Sequence, residues 1–139
     1  MEREKLLRAV DNEENKSMLK YTTKKIEEDK KIIIEQLPIG KEVVKTIKTK
    51  LKNYQYVQEL DQFKLGSYIR WINLYNMNEI KLTIGGIIIE HIMRDDGYHI
   101  MCKTMKNSII ELNPENCLIF KKLNQQELVI LTVLDYLDK

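Results

Sequence analysis

Apolar positions along the first 62 residues are sparse but periodic. Leu19, Ile26 and Ile33 recur every seven residues, with Thr22, Asp29 and Gln36 between them. That spacing is a heptad in which one seam position is apolar and the other polar. A helix through this stretch is expected to stop near Gln36, because Leu37 precedes Pro38 and Gly40 follows. A second amphipathic helix is predicted over residues 41–60. Val44, Ile47, Leu51, Tyr54 and Gln58 share one face, and Lys41, Lys45, Lys48, Lys50 and Lys52 line the other.

The pattern changes at Phe63. Four of the five glycines follow it, and strand-like runs succeed one another at residues 68–74, 80–93, 98–105, 108–112 and 117–123. Asp95-Asp96-Gly97 predicts a tight hairpin of type I′, and Lys106-Asn107-Ser108 a second turn. Gly85-Gly86 inside the longest run predicts a bulge or bend. Asn113-Pro114-Glu115-Asn116 interrupts pairing, since proline lacks the N–H of a ladder, and suits a short 3₁₀ turn. Asn124 followed three residues later by Glu127 reads as a capping box. It opens a helix to Leu137 that is apolar nearly all round and so needs burial on more than one side.

The fold class expected is α+β in three stretches. Residues 1–62 form charged N-terminal helices, a helical hairpin or coiled-coil-like arm. Residues 63–123 form a small curled antiparallel β-barrel of the Src-homology type. Residues 124–139 form an apolar C-terminal helix. At 139 residues the whole is one domain's worth of chain.

Composition narrows the function classes. Basic and acidic residues nearly balance, 23 against 21, so charge alone does not argue for nucleic acid. Two cysteines fifteen positions apart make no disulfide framework and fit a reducing, intracellular compartment. The start, MEREKLLRAV, lacks the apolar core of a secretory signal, and no apolar run approaches the ~18 residues of a membrane span.

The chemistry-bearing residues form no catalytic pattern. Gly85-Gly86 runs into Ile87-Ile88-Ile89, a strand, whereas a phosphate loop opens a helix. His91, His99, Cys102 and Cys117 are the soft metal ligands. His91 and Cys102 could meet across the hairpin, but two ligands do not make a structural zinc site. Ser67 and Ser108 lack a nucleophile elbow. No catalytic residue, metal, cofactor or small-molecule substrate is therefore assigned. Trp71 has two readings: a plug in the barrel core beside Ile69, or a stacking platform rimmed by Arg70, Lys81, Lys103 and Lys121.

Ile69-Arg70-Trp71, Lys81-Leu82-Thr83-Ile84-Gly85-Gly86-Ile87, Tyr98-His99-Ile100-Met101-Cys102-Lys103 and Ile119-Phe120-Lys121-Lys122 form an ordered set over about 55 residues. This stretch resembles a small Gly-Gly-containing β-domain of uncharacterised proteins from nucleocytoplasmic large DNA viruses. The resemblance implies a viral protein, a virion or assembly component, and brings no catalytic residues. The function expected is a non-enzymatic structural or interaction protein that binds a protein partner or a second copy of itself. Its contact residues would be Leu19, Ile26, Ile33, Leu128, Leu131, Leu134 and Leu137. The alternative is a nucleic-acid-binding accessory protein using Lys41, Lys45, Lys48, Lys52, Arg70 and Trp71.

Overall fold

The computed structural model describes residues 18–138 together with Glu4, Leu7 and Arg8. The absence of a signal was read from a stretch that lies largely outside these residues.

Two helices, α1 (Thr23–Glu35) and α2 (Lys41–Lys50), precede the sheet. Thr22 caps α1 by accepting from the Lys25 amide, and the helix ends at Gln36, just ahead of Pro38. The second helix is shorter than its apolar pattern predicts. It ends at Leu51, and Asn53 turns the chain at φ 65°. Tyr54–Tyr56 then form strand β1 rather than a last helical turn. The tyrosines explain the correction: pairing β1 with a neighbouring strand buries Tyr54 and Gln55, which a continued helix would leave without that ladder.

Strands β2 (Tyr68–Asn73), β3 (Gly86–Arg94), β4 (Gly97–Lys103), β5 (Ile109–Leu112) and β6 (Cys117–Lys122) complete a six-stranded sheet in the order β1-β6-β2-β3-β4-β5. Every pairing is antiparallel. The end strands β1 and β5 do not pair with each other, so the expected closed barrel is an open sheet. The sheet is nonetheless wrapped around a core. One buried cluster joins Ile69 and Trp71, Ile88, Ile100 and Cys102, Leu112, and Cys117 and Ile119, residues of five different strands. β5 reaches β6 through a 3₁₀ turn, Pro114–Asn116, capped by the Asn113 side chain.

Alternation along β6 sends Leu118 and Phe120 to the opposite face. There they meet Ile34 of α1, Leu37 after it, Ile47 of α2 with Leu51 at its end, and Tyr54. Strand β6 is therefore buried on both sides, and among the described residues the helices cover the β1–β6–β2 part of the outer face.

The predicted strand at 80–93 is broken in two. Leu82 bridges to Ile72, the chain bends at Gly85 (φ 94°), and β3 starts at Gly86. The bulge falls later, between Ile88 and Glu90. The β3–β4 turn also differs from type I′: Gly97 alone has positive φ (124°), and Asp95 and Asp96 do not.

The C-terminal helix, α3 (Gln125–Leu137), opens on the predicted capping box, with Asn124 and Glu127 bonded reciprocally. It packs on the start of α1 through Met18, Tyr21, Ile26, Leu123, Ile130 and Leu131. Thus Ile26 of the heptad meets α3 of its own chain. No described helix is long and apolar enough to cross a membrane.

Candidate functional site

Trp71 lies on the inner face of β2, 2% exposed, beneath a cleft of about 760 Å³. One wall is the β2–β3 connection, where Tyr75, Lys81, Thr83, Ile84 and Gly85 line the opening. The other is the Thr104–Ser108 turn with Ile110, Glu111 and Leu112 of β5.

The first wall is stitched down. Thr83 donates its amide to Trp71 O (3.0 Å), its hydroxyl accepts from Trp71 N (3.2 Å), and its carbonyl accepts from Arg70 Nε (2.8 Å). The Tyr68 hydroxyl donates to Ile84 O at 2.6 Å, and Asn116 Nδ2 donates to the Tyr75 hydroxyl at 2.7 Å. These bonds hold the connection while its apolar side chains stay outside. Tyr75 is 73% exposed, Ile84 64% and Met105, at the tip of the facing turn, 78%. Large apolar residues gathered around one opening are the usual mark of a binding surface.

Gly85 permits the close approach of this wall. A Cβ there would stand 2.2 Å from Ile69 O, and the residue's φ of 94° disfavours any side chain.

Charge on the other wall is held in a network. Arg94 donates to both oxygens of Glu111, at 3.0 Å and 2.6 Å. His99 Nδ1 lies 2.7 Å from Glu111 and its Nε2 2.8 Å from Asp96. The Arg94 guanidinium, with His99, holds the Glu111 carboxyl down at about 2, well below the usual carboxylate range. Both oxygens of the Glu111 carboxylate are thus engaged.

The structure distributes the sequence-predicted residues as follows. Ile26 and Leu131 are buried in the α1–α3 cluster, and Leu128 and Leu134 pack against it. Ile33 packs beside the α1–α2 core. Leu19 and Leu137 remain exposed. Lys41, Lys45 and Lys52 are exposed, whereas Lys48 is 3.3 Å from Glu35. Arg70 and Trp71 point to opposite faces of β2, so they do not form one platform. Lys121, read as part of a basic rim, is buried and paired with Glu127 at 2.5 Å.

The soft metal ligands are dispersed. His91 stacks on Tyr98 and bonds its hydroxyl, and sits opposite Ile100 rather than Cys102. Burial pushes the Cys102 thiol up to about 12 and the Cys117 thiol to about 11. Among the described residues no three His, Cys, Asp or Glu are placed to hold a metal ion.

The cleft rim escaped the sequence reading. Its one visible trace is Met105, a large apolar residue at a turn tip where small polar residues are the rule. No family model matches this sequence, and neither a curated protein nor a solved structure matches it significantly.

Proposed function

We propose that this chain is a non-enzymatic interaction protein that binds a protein partner in the cleft over Trp71. The observation that carries this reading is the ring of exposed Tyr75, Ile84 and Met105 around that cleft. Ile26 and Leu131, two of the expected helix contacts, are occupied within the chain, which supports a contact surface on the sheet rather than on the helices. The β2–β6 order, with its 3₁₀ turn before the last strand, supports reading the sheet as an opened small barrel of the Src-homology type. A role as a viral virion or assembly component rests on the sequence resemblance alone.

Trp71 is the chain's one tryptophan, so its fluorescence reports on the cleft. Selection of random twelve-residue peptides displayed on phage should enrich binders that shift this emission. Ile84→Glu and Met105→Glu, both at exposed positions, should abolish their binding without unfolding the protein. Failure to enrich any peptide, or binding indifferent to both substitutions, overturns the reading.

Exposed Lys41, Lys45 and Lys52 favour a second reading, a nucleic-acid-binding accessory protein. It requires retention on DNA or RNA that falls steeply with added salt and is lost on charge reversal at these lysines.

A further inference from the structure

The wall of the cleft formed by β5 is also the open edge of the sheet. In an antiparallel ladder, residues alternate between pairs that exchange hydrogen bonds and pairs that do not. Thr104 N donates to Ser108 O at 2.9 Å, which sets the phase. Continuing the register, Ile110 opposite Cys102 and Leu112 opposite Ile100 bond to β4. Ile109 and Glu111 therefore turn their N–H and C=O groups to the open side.

Edges of this kind are normally blunted by charge, proline or a covering loop. Here the edge carries Ile109, 58% exposed on the outer face, and Ile110, 37% exposed toward the cleft. The other end strand, β1, is three residues long and lies against α1. The open edge thus carries an apolar residue on each face, with the ion-paired Glu111 beyond Ile109 on the outer one, and lies beside a cavity.

We propose that β5 receives an extended segment of a partner protein as a seventh strand, with one bulky apolar side chain of that segment seated over Trp71. The row of free main-chain donors and acceptors dictates an extended backbone. The cleft dictates the side chain. A second copy of this chain is a poor fit, because Leu112 of its β5 is buried in its own core and leaves only Ile110 to enter about 760 Å³. An aromatic or Met side chain fills that space better. Exposed Ile109 would then pack against an aliphatic neighbour on the added strand's other face.

This inference rests on the cleft-binding reading, and the experiment separates the two. The probe is a synthetic peptide from the phage selection, titrated against the full chain by Trp71 fluorescence. N-methylation at two alternate amides should weaken it about tenfold per lost bond, while methylation at the intervening amides changes little. Ile109→Pro removes an outward N–H without touching the β4–β5 bonds and should weaken the unmodified peptide by a similar factor. Binding that survives both changes yet is abolished by Ile84→Glu overturns strand addition and leaves the cleft reading standing. No peptide binding at all overturns both. A dimer of the chain, seen by sedimentation and lost in Ile109→Pro, would assign the edge to a second copy and overturn the partner.

Discussion

Lys121 and Glu127 form an ion pair withdrawn from water, each side chain 3% exposed, with 2.5 Å between Nζ and Oε2. The other Glu127 oxygen accepts from Asn124 N at 2.9 Å, closing the capping box of α3. One carboxylate thus starts the last helix and neutralises the one buried charge on β6. Removing one partner of such a pair leaves the other charged in a dry site, which costs about 3–5 kcal/mol. Lys121→Met is expected to lose that much by urea denaturation. The double variant Lys121→Met/Glu127→Gln should be more stable than the sum of its single changes predicts. The capping half of this arrangement was legible in Asn124 and Glu127, three residues apart. The ionic half was not, since nothing local distinguishes Lys121 from the exposed lysine that follows it.

Among the elements, the turn into β3 shows how one backbone position shapes the cleft. Gly66 and Gly85 have similar positive φ values, 86° and 94°, but different surroundings. A Cβ at Gly66 meets nothing within 4 Å, whereas at Gly85 it would meet Ile69 O at 2.2 Å. Gly66→Ala is therefore expected to cost about 1–2 kcal/mol, the penalty of the left-handed backbone alone. Gly85→Ala adds a backbone clash and should cost more than about 3 kcal/mol, because the connection carrying Ile84 must move off β2. Denaturation midpoints of the two variants test this order. Glycine in the run announced a bend in the sequence. Its direction depended on β2, which the run itself does not contain. The α2–β1 boundary failed for a similar reason. Apolar residues at helical spacing continued to Tyr54, but pairing with β6, some 65 residues later, took the tyrosines into the sheet.

At the scale of the whole molecule, the two helical flanks close on each other. Asp135 of α3 accepts from Thr23 N at 2.7 Å and from the Thr23 hydroxyl at 2.5 Å, satisfying a free donor at the start of α1 across 112 residues. A carboxylate at a helix N-terminus is favourable, and here it comes from the far end of the chain. Ile26 lies in the same contact, 2% exposed against Ile130 and Leu131. Ile26→Ala should cost about 2–5 kcal/mol in global stability. Hydrogen exchange should show the amides of α1 and α3 losing protection together. Independent loss of α3 alone would mean that the flanks are separate units.

The sequence by itself determined much of the local structure: the stop of α1 ahead of Pro38, the run of strands after Phe63, the 3₁₀ turn at Asn113-Pro114-Glu115-Asn116 and the capping box at Asn124. These follow from periodicity, proline, glycine and short polar side chains acting over a few residues. Only the tertiary structure decided that the sheet stays open at β5, that Ile26 and Leu131 pack within one chain, and that Trp71 floors a cleft. Each of those depends on which distant strand or helix a residue meets. Local pattern carries the face of a side chain, and not the identity of what covers it.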